Sequence, residues 1–246
     1  MHNYSRSALF LDGAWVESRG DGMIEVIDPA TEQVIGSVPN GNAADVDAAV
    51  AAARNAFDPL ITLDERRDRL AAVITAMDKR LPEIAETITA EMGAPIRVAQ
   101  TVQTQVPLAV ARGFADALNT FEFEERIGNS LVVREPYGVV AAITPWNYPL
   151  YQVVAKVLPA IAAGCTVVLK PSNEAPLSVF EFVEAVEDAG LPPGVVNLVS
   201  GPGAVIGERM AEHSDVDFVS FTGSTGVGSR VGELAGSTVK KVALEL

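Results

Sequence analysis

The chain has 246 residues, of which 48% are hydrophobic and 20% are charged, enough apolar material for one large domain or two small ones. Eighteen basic residues against 32 acidic ones give a net charge of −14, which disfavours binding to nucleic acid or to an anionic membrane surface. The apolar runs are shorter than a membrane span and the first residues lack the apolar stretch of a secretory signal, so we expect a cytoplasmic protein.

Two β-like segments open the chain. FLDGAWV (residues 10–16) and MIEVIDPATEQVIGSVP (residues 23–39) combine β-branched runs with turn residues, and this pattern predicts a small β-meander. Asn42 then stands as the N-cap of a helix, with Asp45 in its first turn. Apolar residues at helical spacing follow, so we place the first helix here.

Three further helices are predicted before residue 121. One runs from Asp64, and another follows Pro82 and stops at Gly93, because proline favours the first turn of a helix and glycine favours its C-terminal end. The last helix spans residues 96–118.

Residues 121–138 change in character. Charged and apolar residues alternate around Gly128 and Asn129, a pair that favours a hairpin turn. Because strands so rich in charge make a poor core, we interpret this segment as an arm that leaves the domain and pairs with another subunit.

A regular rhythm of strands and helices starts at Val139. Strands with almost no polar alternation are buried on both faces, and the helices between them supply parallel crossovers. The sequence therefore predicts an α/β fold with a Rossmann-like, doubly wound parallel sheet. The strand candidates are VVAAIT, TVVLK, VVNLVS, VDFVSFTG and KKVALEL.

Four of these strands end in unusual segments, and ligands of such sheets bind beyond the carboxyl ends of the strands. The segments are TPWNYP (144–149), KPSNEAP (170–176), SGPG (200–203) and FTGSTGVG (221–228).

The glycines and hydroxyls of residues 221–228 open a helix, where free backbone N–H groups and the helix dipole favour an anion such as a pyrophosphate. The alternative is a plain glycine-rich turn in which Ser224 or Thr225 is a simple N-cap. Lys170, at the end of a buried strand, places an ammonium against a ribose or a phosphate. A solvated strand end is the alternative for this lysine.

Two prolines bracket Trp146, Asn147 and Tyr148 in a tight turn. An asparagine held in this way is a neutral donor for a developing oxyanion, and the loss of one such donor costs about 10²–10³ in rate. A purely structural proline-aromatic turn is the alternative.

Together these motifs are far more specific than each one alone. TPWNYP, KPS, FTGSTxxG and the final LEL, in this order and spacing, resemble the aldehyde dehydrogenase superfamily, and FLDGAWV and DPATEQVIGSVP extend the resemblance over essentially the whole chain. The resemblance implies oxidation of a small-molecule aldehyde to a carboxylic acid, with hydride transfer to NAD or NADP, in a homo-oligomer. It also implies a cofactor-binding domain made of residues 1–120 and 139–246, with 121–138 as the oligomerisation arm.

The resemblance assigns two residues to catalysis. Asn147 matches the amide of the oxyanion hole, and Glu245 matches the general base that activates water to hydrolyse a thioester intermediate. A surface position on an edge strand is the alternative for Glu245, but its place after a buried VAL run favours the base.

The resemblance also implies a nucleotide site. Lys170 matches the lysine that bonds the adenosine ribose, and Trp146 matches the aromatic that packs by the nicotinamide. Gly223, Ser224 and Gly228 match the phosphate-binding turn. The full set of predicted cofactor-binding residues is Thr144, Trp146, Lys170, Ser172, Asn173, Gly201, Gly223, Ser224, Gly228 and Leu246.

The identity of the cofactor stays open between NAD and NADP, with NAD favoured. Many NAD-preferring members have a glutamate three residues after the lysine, which accepts hydrogen bonds from the ribose and disfavours an extra phosphate. Asn173 holds that place here, and Glu174 is the next residue.

The family's nucleophile is a cysteine in the half that would follow Leu246, so we expect the catalytic cysteine domain to be absent and the isolated chain to be inactive. The single cysteine, Cys165, sits in AAGCTVVLK, a context that predicts a small buried core residue. A short protein that binds nucleotide or pairs with full-length subunits is the alternative function. An enzyme that hands the thioester to coenzyme A also stays open, although Glu245 favours hydrolysis.

No metal site is predicted. The two histidines, His2 and His213, are far apart, and no CxxC or HExxH pattern occurs. His213 is expected at a helix end, where a partly charged imidazole interacts favourably with the helix dipole.

Overall fold

The computed structural model of the chain describes residues 4–246, and His2 therefore lies outside the described part. The strands are β1 (Leu9–Leu11), β2 (Ala14–Val16), β3 (Met23–Asp28), β4 (Gln33–Pro39), β5 (Glu124–Ile127), β6 (Ser130–Val133), β7 (Val139–Ile143), β8 (Thr166–Lys170), β9 (Val196–Leu198), β10 (Phe218–Thr222) and β11 (Lys241–Glu245). The helices are α1 (Ala43–Ala56), α2 (Leu63–Met92), α3 (Ile96–Val98), α4 (Gln105–Thr120), α5 (Pro149–Ala162), α6 (Leu177–Asp188), α7 (Glu208–Glu212) and α8 (Thr225–Gly236). Two π-helical segments, Ala99–Gln103 and Gly203–Gly207, precede α4 and α7.

The main sheet has the strand order β11-β10-β7-β8-β9-β1-β2. Strands β7 to β11 pair in parallel, which confirms the predicted doubly wound α/β sheet. The chain builds outward from β7 to β9 and then returns to the other side of β7 with β10. This reversal of strand order opens a crevice beyond the carboxyl ends of β7 and β10.

The predicted β-meander of residues 10–16 and 23–39 is wrong. β1 and β2 join the main sheet as antiparallel strands, with Phe10 opposite Leu198 of β9, while β3 and β4 form a separate two-stranded ribbon. All three residues of β1 are buried, so burial of apolar surface favours this long-range pairing over a local meander.

Helices cover both faces of the main sheet. Helices α2, α4, α5 and α6 contribute to one hydrophobic cluster, and α1, α7 and α8 contribute to another. Between these layers β7 and β8 are buried at every position, which explains their continuous apolar sequences.

Helix α2 runs through Pro82, so the predicted helix break at this residue is wrong. A proline inside a helix costs about 3 kcal/mol. Buried side chains on both sides of it, such as Met77 and Ile84, stabilise the continuous helix by roughly 1.5–3 kcal/mol each. Gly93 ends the helix as predicted, with a φ of 78°. Although α2 is long, no helix within residues 4–246 is both long and apolar enough to cross a membrane.

The predicted single helix over residues 96–118 is also wrong in detail. The chain is helical there, but the π-helical segment Ala99–Gln103 interrupts it before α4 begins. The hydroxyl of Thr104 donates to the carbonyls of Ala99 and Gln100 at 3.0 and 3.1 Å, which satisfies backbone groups at the irregular turn.

Strands β5 and β6 form the predicted hairpin, with Gly128 at a φ of 62° in its turn. All four residues of β6 are exposed. The contribution of this arm to an oligomer stays a prediction.

Candidate functional site

A cavity of about 310 Å³ lies at the carboxyl edge of the parallel sheet, and we call it the edge cavity. The strands β7, β8 and β10 contribute Ile143, Lys170 and Phe221 to its walls. Its other walls come from the second π-helical segment, α7 and α8, through Gly203, Ala204, Gly207, Glu208, Gly226, Val227, Arg230 and Val231. The edge cavity therefore lies in the crevice that the strand order predicts.

Lys170 is the buried cation of the edge cavity. Its side chain is 4% exposed, and burial lowers the pKa of its ammonium to about 8. Its Nζ donates to the carbonyl of Pro171 at 2.8 Å, which occupies one of its three N–H donors. The alternative of a solvated strand end is therefore wrong.

Two residues near Lys170 have buried oxygen atoms that can accept hydrogen bonds: Thr144, just after the neighbouring strand β7, and Asn173, in the loop after β8. The backbone N–H of Thr144 donates to the carbonyl of Lys170 at 3.0 Å, which ties the ends of β7 and β8 together. Thr144 Oγ1 and Asn173 Oδ1 are both buried, and neither finds a hydrogen-bond partner within the described chain. Ser172 Oγ instead accepts from the backbone N–H of Glu174 at 3.3 Å. Buried polar atoms of this kind are typical of a ligand site.

The glycine-rich turn leads from β10 into α8. Ser224 caps α8, and its hydroxyl accepts from the backbone N–H of Val227 at 3.5 Å, as the simple N-cap interpretation expects. Binding of an anion at this turn stays a prediction. The backbone N–H of Gly223 donates to the carbonyl of Glu245 at 3.1 Å, which joins the turn to β11.

Two of the predicted glycines are required by packing. Gly201 has a φ of 149°, and a Cβ there would lie 2.6 Å from Ile206 Cγ1. The side chain of Leu246 lies against Gly228, and a Cβ at Gly228 would overlap it. Both glycines therefore allow close approaches at the carboxyl edge.

The PWNYP turn lies at the start of α5, just beyond the end of β7. Trp146, Asn147 and Tyr148 are exposed, and Trp146 is 53% exposed. The carbonyl of Asn147 accepts from Gln103 Nε2 at 3.2 Å. The turn thus presents its polar and aromatic side chains outward while a buried side chain holds its backbone.

Glu245 ends a chain of three hydrogen-bonded side chains. Its Oε2 accepts from the hydroxyl of Thr222 at 2.9 Å, and Thr222 Oγ1 accepts from Lys156 Nζ at 2.7 Å. Lys156 is 9% exposed, and burial lowers its pKa while the negative charge of Glu245 opposes this shift. The expectation that Glu245 follows a buried run is wrong, because β11 is the edge strand and all five of its residues are exposed.

Sequence reasoning missed Lys156, Thr222 and Gln103. Lys156 had a signal, since it is the one charged residue in PLYQVVAKVLPAIA, the otherwise apolar sequence of α5. Thr222 lies inside the FTGST motif, in which the sequence interpretation assigned roles only to Gly223, Ser224 and Thr225. Gln103 had no signal, because its position depends on the π-helical segment.

Cys165 is a core residue, as predicted. It is 4% exposed, and burial raises the pKa of its thiol. It precedes β8, whereas Lys170 ends this strand, so the two lie at opposite edges of the sheet, roughly 16 Å apart. Cys165 therefore does not belong to the candidate site.

His213 follows α7 at the predicted helix end, but it is not the partly charged group that we expected. Its Nδ1 accepts from the backbone N–H of Asp215 at 3.1 Å. Burial lowers the pKa of the imidazole, and the charge of Arg209 lowers it further. The neutral form is favoured, and the imidazole serves as a local acceptor.

The chain matches the family model described as the aldehyde dehydrogenase family over residues 15–246. It belongs to the aldehyde dehydrogenase family. Among curated relatives, a 3-succinoylsemialdehyde-pyridine dehydrogenase from a Pseudomonas species is 48% identical over 96% of this chain and 50% of the relative. A putative aldehyde dehydrogenase from Staphylococcus aureus is 44% identical over 100% of this chain and 52% of the relative.

Solved aldehyde dehydrogenase structures have the same fold. A mutant aldehyde dehydrogenase C from Pseudomonas syringae, in complex with NAD+ and octanal, superposes with a TM-score of 0.96 at 46% identity, over 99% of this chain and 50% of that chain. A betaine aldehyde dehydrogenase from Staphylococcus aureus in complex with NAD+ gives a TM-score of 0.94 at 33% identity, over 98% and 50%. The chain spans about half the length of the aldehyde dehydrogenases that it matches.

Proposed function

We propose that this chain is the cofactor-binding half of an enzyme that oxidises an aldehyde to a carboxylic acid with NAD. The observation that carries the proposal is the arrangement at one sheet edge: the edge cavity with buried Lys170 lies beside β10, whose last residue, Thr222, binds Glu245. The nucleotide pocket and the carboxylate base thus both adjoin β10, the pocket through Phe221 and Glu245 of β11 through Thr222.

The residues of the edge cavity fit a dinucleotide. Lys170, in the wall of the cavity, has ammonium donors for ribose hydroxyls. Asn173 follows it in the loop after β8, and its buried Oδ1, which has no hydrogen-bond partner within residues 4–246, is an acceptor for the same hydroxyls. Gly226, in the first turn of α8, lines the edge cavity, and the free backbone N–H groups at the start of a helix suit a pyrophosphate. The bound nicotinamide would supply the hydride acceptor for the oxidation.

NAD is favoured over NADP. Arg230 lines the edge cavity, but its guanidinium binds Glu208 at 2.9 Å and Glu233 at 2.9 Å, so its charge is already neutralised. The neutral Asn173 and the exposed Glu174 offer no cation for an additional phosphate. Related structures with NAD+ bound, such as those from Pseudomonas syringae and Staphylococcus aureus, support this choice.

Two residues would take part in the chemistry at the substrate's carbonyl group. Asn147 Nδ2 would donate to the carbonyl oxygen as it gains negative charge, and Glu245 would take a proton from the water that hydrolyses the thioester. The attacking cysteine would come from the other half of the family's polypeptide, since Cys165 lies at the opposite sheet edge. Retention of Glu245 favours hydrolysis over transfer to coenzyme A.

An apolar aldehyde is the favoured substrate class. Val98, Val102 and Val106 are 38–44% exposed on the helical segment whose Gln103 contacts the Asn147 turn. Apolar side chains exposed beside a reactive site suit an apolar substrate chain. The related enzyme from Pseudomonas syringae was solved with octanal.

The experiment is a comparison of Asn147→Ala and Glu245→Gln in an active enzyme that contains this chain. Loss of the oxyanion donor is expected to lower kcat by about 10²–10³. Glu245→Gln is expected to slow release of the acid while it leaves a first turnover of NADH formation intact. Unchanged steady-state rates in both variants would overturn the proposal.

A second function, pairing with another copy, is favoured by the arm. Strand β6 exposes Leu131, Val132 and Val133, and exposed apolar strands are typical of interfaces.

The single buried thiol is compatible with the reducing cytoplasm that the composition suggests.

A further inference from the structure

Gln103 is a buried amide that connects two separate segments. Its side chain is 3% exposed, and its Nε2 donates to the backbone carbonyl of Asn147 at 3.2 Å. The same nitrogen lies 3.8 Å from Met92 Sδ, at the end of α2. Gln103 thus joins the helical region after α2 to the PWNYP turn.

The π-helical segment Ala99–Gln103 places this side chain. A π-turn adds one residue to a helical turn and shifts the face that the following residues present, and such turns occur frequently at functional sites. Gln100 and Val102, on the same segment, are exposed, whereas Gln103, its last residue, faces inward. The irregular backbone therefore directs the side-chain amide of Gln103 at the carbonyl of Asn147.

Stability alone does not account for an amide at this position. Gln103 Oε1 is buried, and no hydrogen-bond partner for it exists in the chain from residue 4 onward. An unpaired buried acceptor is destabilising, and a methionine of similar size would fill the space without it. The hydrogen bond to Asn147 is what a methionine would lose.

We propose that Gln103 is a positioning residue that fixes the backbone of the PWNYP turn and thereby aims the Asn147 amide at the oxyanion. This inference rests on the proposed role of Asn147. Trp146 and Tyr148 are 53% and 44% exposed, so packing restrains them only in part, and the bond to the Asn147 carbonyl is a direct restraint on the backbone that carries the amide.

The first test uses the 246-residue chain itself. Backbone ¹⁵N relaxation of residues 146–148 is measured in wild-type protein, in Gln103→Met and in Gln100→Met, which is the same change at an exposed site of the same segment. We expect residues 146–148 to move more in Gln103→Met than in wild type or Gln100→Met. The melting temperature of Gln103→Met is expected to be no lower than that of wild type. Equal motion in all three proteins would overturn the proposal.

The second test is a double-mutant cycle in an active enzyme that contains this chain. We expect Gln103→Met to lower kcat about tenfold, with little change in KM, in the presence of Asn147 and to have no further effect in the Asn147→Ala background. An equal loss in both backgrounds would show that Gln103 does not act through Asn147. An Asn147→Ala variant with full kcat would instead overturn the oxyanion role, so the two failures are distinguishable.

Discussion

Glu91 Oε1, near the end of α2, accepts hydrogen bonds from both the backbone N–H and the hydroxyl of Ser178, in the first turn of α6. Its other oxygen, Oε2, accepts from the backbone N–H of Leu177 at 2.6 Å. Helix α6 follows Pro176, which makes no side-chain cap. The carboxylate of Glu91, on the neighbouring helix α2, therefore caps α6. The capped end of α6 is also the end of the loop that follows Lys170.

Glu91→Gln is expected to destabilise the fold by about 1–3 kcal/mol, because the amide retains one acceptor oxygen and turns an N–H₂ group towards a backbone donor. Urea denaturation at pH 8, above the folded pKa of about 7, where Glu91 is the carboxylate that accepts these hydrogen bonds, measures this change. Glu86→Gln, an exposed site on the same helix, is the control. Equal stability of both variants would show that the cap contributes nothing.

Stability is expected to fall as the pH rises from about 5 to 8. Burial raises the pKa of Glu181 to about 8 and that of Glu91 to about 7, against hydrogen bonds that lower both. Because the folded state holds these protons more tightly than the unfolded state, their contribution is present at low pH and is lost as the pH passes the folded pKa values. Arg6, 3.6 Å from Glu181, offsets this effect only in part.

Glu181→Gln is therefore expected to flatten the pH profile and to raise stability at pH 8 by about 1–2 kcal/mol relative to wild type. Its Oε1 position can still accept from Thr87, whose hydroxyl now binds Glu181 at 2.6 Å. Melting temperatures between pH 5 and pH 8 measure the effect. A variant with the wild-type slope would contradict it.

Thr222→Val removes the hydroxyl between Lys156 and Glu245. We expect the hydrolysis step to slow about tenfold, since Glu245 loses the group that orients it and the link to a proton donor. The readout is a burst of NADH followed by a slower steady rate in an active enzyme that contains this chain. Thr222→Ser, which restores the hydroxyl, is expected to recover the wild-type rate, and a slow serine variant would argue against this role.

Glu208→Gln tests the cofactor preference. Loss of this carboxylate leaves Glu233 as the remaining partner of Arg230, so the guanidinium at the edge cavity is less neutralised and binding of NADP+ is expected to strengthen relative to NAD+ by about fivefold. Glu212→Gln, which alters a comparable pair with Arg209, is the control. Isothermal titration calorimetry gives the dissociation constants for NADP+ and NAD+. If their ratio is the same in Glu208→Gln as in wild type, Arg230 does not face the ribose.

The buried strands of the second half of the chain could be predicted from sequence because their apolar runs leave little choice of structure. Long-range packing decided the rest. Burial of β1 drew it into the main sheet, and burial on both sides of Pro82 kept α2 continuous. The contacts of Gln103 and Lys156 join segments far apart in sequence, so motif spacing alone could not reveal them.

Titration of NAD+ into the 246-residue chain tests the central claim most directly. Wild-type protein is expected to bind NAD+ without forming NADH when an aldehyde is added, and Lys170→Met is expected to bind about 10–100-fold more weakly. Lys79→Met, at an exposed position on α2, should bind like wild type. A folded wild-type chain that does not bind NAD+, or a Lys170→Met variant that binds equally well, would contradict the account.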